Sequence, residues 1–132
     1  MNISSFLGDY ALIDRIDALV ILEFILQKDR AWILAHDDYE LTAKQQQKLE
    51  QLVKRRVGGE PLAYIIGTKE FYGHDFYVTK DVLVPRPESE AFLDLLDDYK
   101  PLPGQSLIYV GTGSGILGIS AKIAYPFIQV TA

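Results

Sequence analysis

Residues 55–73 read RRVGGEPLAYIIGTKEFYG, and the hydrophobic period changes inside them. Up to Ile66 the apolar residues recur every three or four positions, the spacing of one helix face. After Gly67 they alternate in twos, the spacing of a half-buried strand. Gly58-Gly59 stops a helix, because glycine takes the left-handed conformation of a C-terminal cap without a Cβ clash. Pro61 restarts one, since its fixed φ suits a first helical position where no N–H is needed. The stretch therefore predicts a joint between a helical part and a part built on strands. Lys54, Arg55 and Arg56 precede the stop, where the helix dipole favours cations; contact with a partner is the alternative reading.

Upstream, Leu12, Ile13, Ile16, Leu19, Val20 and Phe24 keep helical spacing and predict one long, mostly buried helix over residues 10–26. Asp29 is a suitable N-cap for a short helix, Arg30 to Ala35, that brings Trp32 to the bundle. Thr42 and Gln45 have capping-box spacing, and Leu49, Leu52, Val53 and Val57 continue the helix they open. Residues 1–66 thus read as an α-helical bundle.

Downstream, Glu70-Phe71-Tyr72 and Asp75-Phe76-Tyr77-Val78 flank Gly73-His74, which predicts a hairpin with a type II′ turn at that pair. Pro85 and Pro87 stiffen the backbone on both sides of Arg86, and Glu88 and Glu90 fall in the first turn of a helix running to about Asp98. Then come a strand at 106–110, the loop Gly111-Thr112-Gly113-Ser114-Gly115, a helix at 116–124 and a second strand at 127–131. Strand, glycine loop, helix, strand is the opening unit of a doubly wound sheet. The expected organisation is a helical domain over 1–66, a β-hairpin and proline linker over 67–87, and the first βαβ unit of a Rossmann-like domain over 88–132.

Composition narrows the function classes. Of 132 residues, 48% are hydrophobic and 23% charged, enough apolar surface for a core. The net charge of −5 opposes the phosphate attraction on which most nucleic-acid binders depend. There is no cysteine, so thiolate metal sites and cysteine nucleophiles are excluded, and no metal-ligand pattern is apparent. The most apolar run, ALVILEFILQ, is interrupted by Glu23 and is shorter than the roughly 20 residues of a membrane span. Asp9, Asp14 and Asp17 near the start argue against a leader peptide, and the expected location is the cytoplasm.

A glycine-rich turn between a strand and a helix lets the backbone approach a ligand, with N–H groups of the helix N-terminus directed at it. The glycines at 111, 113 and 115 match neither the phosphate loop, for want of its lysine, nor the dehydrogenase fingerprint, because position 116 is Ile. Taken by itself, the loop can be a ligand site or a tight packing turn.

The order of motifs goes further. Arg55-Arg56-x-x-Gly59-Glu60-Pro61-x-x-Tyr64-Ile65-x-Gly67, Glu70-Phe71-Tyr72-Gly73, Leu83-Val84-Pro85-Arg86-Pro87-Glu88-Ser89-Glu90 and Gly111-Thr112-Gly113-Ser114-Gly115 together resemble the peptide chain release factor N(5)-glutamine methyltransferases. Arg15 to Ala18 and Asp29 to His36 also resemble that family's helical domain. The resemblance implies a bundle that helps to hold a release factor, followed by a domain that binds S-adenosyl-L-methionine. The reaction implied is methyl transfer to the side-chain amide nitrogen of the glutamine in the release factor's Gly-Gly-Gln tip. Carried over by position, Gly111, Gly113 and Gly115 line the cofactor, Thr112 and Ser114 add backbone contacts, and Arg86, Pro87 and Glu88 close over it.

The sequence departs from the family pattern at Tyr109, where an acid is usual. The family's ribose-binding acid and its Asn-Pro-Pro-Tyr segment do not occur within the 132 residues. The catalytic residues are accordingly expected beyond Ala132, with the chain a fragment that is inactive by itself and that, lacking the ribose acid, binds the cofactor little or not at all. Residues past about 100 are expected to be poorly ordered or shielded by partner chains, with self-association through an incomplete sheet. Two other readings remain: an adenine amino-methyltransferase relative, against which the acidic balance and the release-factor-like helical domain count, and a non-catalytic, protein-binding helical module, motivated by Tyr109 and the early stop.

Overall fold

The computed structural model describes residues 1–9 and 12–132. Among the described residues up to Ile66, the helices are α1 (Ile3–Asp9), α2 (Arg15–Leu26), α3 (Arg30–Ala35), α4 (Ala43–Val57) and α5 (Leu62–Ile66). Local hydrogen bonds explain several of their starts. Asn2 accepts from Ser5 N at 2.8 Å, Asp14 from Ile16 N at 2.7 Å and Asp29 from Trp32 N at 2.7 Å. At Thr42 the hydroxyl accepts from Gln45 N while the Gln45 side chain accepts from Thr42 N, the reciprocal bonds of a capping box.

The core of this unit is built around α2, whose Ile21 and Leu22 are fully buried against Phe6, Ile33 and Leu49. The single long helix expected from residue 10 is instead α2 starting at Arg15, because Asp14 caps it. Tyr10 and Ala11 lie outside the described residues. Leu12 and Ile16, counted in the buried stripe, are 69% and 63% exposed. Helix α1 was not anticipated; seven residues hold too little periodicity to mark a helix.

Gly67 begins a second compact unit, Gly67–Ala132. Strands β1 (Thr68–Phe71) and β2 (His74–Tyr77) pair antiparallel, with Phe71 opposite His74. The turn is therefore Tyr72-Gly73, not Gly73-His74. Both residues have positive φ, +49° and +79°, which makes it type I′ and not II′. Tyrosine is an unusual occupant of that region, and side chains support it: Glu90 accepts from Tyr72 N and Glu70 from Gly73 N.

A 3-10 helix at Pro87–Glu90 leads into α6 (Ala91–Tyr99), so the expected helix begins with a tighter turn. Beyond residue 100, where disorder or shielding was expected, the chain forms β3 (Ser106–Ile108), α7 (Ile116–Ala124) and β4 (Gln129–Thr131). Strands β3 and β4 pair in parallel, Ser106 opposite Gln129 and Ile108 opposite Thr131, joined through α7. Phe71 of the hairpin, Leu93 of α6, and Ile116, Leu117 and Ala121 of α7 share one buried cluster. Lys122 fastens the α7–β4 connection by donating to the carbonyls of Pro126 and Ile128, each at 2.7 Å.

Candidate functional site

The glycine loop occupies the turn from β3 into α7. Gly111, Gly113 and Gly115 all have positive φ, at +78°, +54° and +76°. A Cβ added at Gly111 or Gly113 would meet no atom within 4 Å, so neither glycine is there to admit a packed neighbour. Their backbone conformation favours glycine, and the space beside them is open. This favours a ligand loop over a tight packing turn. Gly115 N donates to Thr112 O at 2.8 Å and closes the loop on itself. The helix that follows leaves its first N–H groups without intrahelical acceptors, at the positive end of its dipole.

One wall of a cavity of about 400 Å³ is formed by this loop, from Gly111 to Ser114, with Tyr109 beside it. The segment Leu83 to Arg86 together with Ser89 forms another wall. Arg86, expected from the sequence, is thus brought to the same hollow as Gly111, Thr112, Gly113 and Ser114. Gly115, Pro87 and Glu88 do not line it: Gly115 caps α7, and the other two lie exposed in the 3-10 helix. Sequence reasoning missed Ser89, and it read Tyr109 only as a departure. Tyr109 is half-buried, with its ring 6.3 Å from that of Phe92, and its N–H donates to Thr131 O at 2.8 Å. On the other side of the loop, Thr112 to Gly115 border a second hollow of about 550 Å³ with Ile119, Ile123 and Val130. The 400 Å³ cavity is the better candidate site, because polar groups of two chain segments converge on it.

Acids of α6 interact with two phenols, Tyr72 and Tyr125. Tyr125 donates to Asp97 at 2.6 Å, and this bond, with burial second, pushes the phenol up to about 12. Burial, and then Asp94 and Asp97, raise Tyr72 as well. Among the described residues, no group of histidines and acids could hold a metal ion, and no helix is long and apolar enough to cross a membrane.

The basic cluster that ends α4 is engaged within its own unit. Arg55 makes a two-pronged bond to Glu60, at 2.7 and 2.6 Å, which raises the arginine and lowers the carboxyl. Arg56 donates to Asp17 and to the Glu60 carbonyl. Both arginines of the RRVGGEP stretch therefore serve the fold, while Lys54 is exposed.

Comparison with known proteins bears on both units. Residues 2–67 match the family model of the PrmC N-terminal domain. The chain is 39% identical over 134 residues to the release factor glutamine methyltransferase of Coxiella burnetii, covering 99% of this chain and 48% of the relative. The proteins of the same name from Mycoplasma mycoides and Salmonella typhimurium are 41% and 35% identical, over 84% and 89% of this chain and 40% and 43% of theirs. The chain spans about half the length of the curated relatives it matches.

Proposed function

The chain belongs to the PrmC N-terminal domain family, and from that premise we propose that it serves a methyltransferase acting on the glutamine side chain of peptide chain release factors. Residues 1–66 are its release-factor-engaging helical domain, 67–87 its hairpin and proline linker, and 88–132 the opening of a Rossmann-like domain that binds S-adenosyl-L-methionine. The parallel pair β3–β4 joined through α7 supports the last assignment. The observation that carries the reading is the convergence of Arg86 and the glycine loop on one cavity.

The residues present fit such a cofactor. Open space beside Gly111 and Gly113 leaves backbone accessible to a bulky ligand, and the cavity has the volume of a small-molecule site. Arg86 supplies a cation suited to a carboxylate, and Thr112 and Ser114 supply hydroxyls and backbone groups. Pro85 and Pro87 fix the backbone that presents Arg86, and Glu88 lies on the same segment. When bound, the cofactor supplies a sulfonium methyl group as electrophile. The chain's own task is to hold that end of the reaction in place while water is kept out, since methyl transfer depends chiefly on alignment. None of the 132 residues is assigned to grip the substrate amide.

The partner assignment is tested by passing a purified release factor over the immobilised 132-residue chain at low salt. Retention is expected; passage without retention would contradict the role given to the helical domain.

A further inference from the structure

One hydrogen bond in the second unit joins segments 18 positions apart: Tyr72 N donates to Glu90 Oε1 at 3.0 Å, partly buried. It closes a ring of chain. The ring starts at the hairpin turn, runs through β2, passes along the cavity wall from Leu83 to Ser89 and returns at the last residue of the 3-10 helix. At the far end of the wall, Val82 N donates to Thr79 O, while buried Pro85 holds the middle. At the near end, Ser89 N bonds back to Arg86 O and Ala91 N, at the start of α6, bonds to Glu88 O and Ser89 O, while Glu90 ties this end to the hairpin. The hairpin that receives the tie is anchored in turn by Phe71, which is 1% exposed in the cluster it shares with Ile116 and Leu117, directly after the glycine loop.

We propose that Glu90 is a positioning residue: its carboxylate, bonded to Tyr72 N, locks the Leu83–Ser89 segment in register with the glycine loop and so fixes where Arg86 stands over the cavity. This rests on reading the cavity as the cofactor site. Glu90 does not line the cavity; it acts through the backbone. An ionised acceptor makes a stronger bond than a neutral one, and the bond clamps a main-chain N–H that the type I′ turn leaves directed outward from the hairpin. The coupling runs both ways, because whatever stabilises one side of a closed ring stabilises the other. A ligand seated against Arg86 protects the Tyr72 amide, and a partner gripping the hairpin turn stiffens the cavity wall.

The test compares the wild-type 132-residue chain with Glu90→Ala and Glu90→Gln, using amide hydrogen exchange and titration with S-adenosyl-L-methionine. Glu90→Ala is expected to speed exchange at Tyr72, Arg86 and Ser89 by about tenfold or more, the loss expected for a charge-assisted bond. Leu107 and Val130 in the parallel pair should keep their rates. The same variant is expected to weaken cofactor binding about tenfold, with Glu90→Gln, which keeps an acceptor oxygen, recovering most of both effects. Exchange that quickens equally in the parallel pair would mean general destabilisation and would overturn the proposal. So would binding that is unchanged in Glu90→Ala while the wild type binds, which leaves the cofactor reading standing. A wild-type chain that does not bind overturns the cofactor reading and Glu90's part in it together.

Discussion

Arg56, at the end of α4, donates through Nε to Oδ2 of Asp17 in the first turn of α2, across 39 positions of sequence. The side chains keep 34% and 18% of their exposure, so the pair is partly withdrawn from water. A charge-assisted bond in such a place contributes more than a surface ion pair. A double-mutant cycle with Arg56→Ala and Asp17→Ala, read by urea denaturation, should return a coupling of about 1–2 kcal/mol. A coupling near zero would show that the ends of α2 and α4 are held by their apolar contacts alone.

The pair also shows what a local reading of RRVGGEP can and cannot supply. The helix stop, the restart and the change of period are legible because each depends on residues a few positions apart. The capping box at Thr42 and Gln45 and the cap at Asp29 are legible for the same reason. Partners 39 positions apart leave no such trace. The hairpin turn was misplaced by one residue because glycine at the first loop position suits type II′. The structure instead places Tyr72 there with positive φ, supported by Glu90 from 18 positions away. At the candidate site, the glycines at 111, 113 and 115 and Arg86 stand out in the sequence. Ser89 and Tyr109 do not, since only the folded chain turns them toward one hollow.

Tyr125 and Asp97 give a pH-dependent prediction. The phenol is held neutral up to about 12 in the folded chain, above the ordinary tyrosine value of 10.0. A raised acid constant of this kind contributes stability that is fully present below the unfolded value and is lost as pH rises through the folded one. Ultraviolet titration of tyrosinate should show one phenol ionising near 12, and Asp97→Asn should return it toward 10.0. If the titration curve of Asp97→Asn superimposes on that of the wild type, the Tyr125–Asp97 bond is absent in solution.

Gly113→Ala separates conformational from steric demand in the loop. No atom lies within 4 Å of the added methyl, yet φ is +54°, a conformation that costs a residue with a Cβ about 1 kcal/mol. The variant should fold with a loss of that order in thermal or denaturant stability. Destabilisation of several kcal/mol would instead mean that the methyl meets packed atoms and that the loop is a packing turn.

The assignment of the glycine loop and the proline-bounded segment to one cofactor site is the central claim, and amide chemical shifts test it most directly. Against the little or no binding expected from the missing ribose acid, the loop and Arg86 lining one cavity predict that S-adenosyl-L-methionine titrated into the isotopically labelled 132-residue chain moves the resonances of Gly111, Thr112, Gly113 and Ser114 together with that of Arg86, in one saturable transition. The amides of α2 and α4 should stay where they are. Shifts confined to the first unit, or no saturable shift at the loop and Arg86, would contradict it.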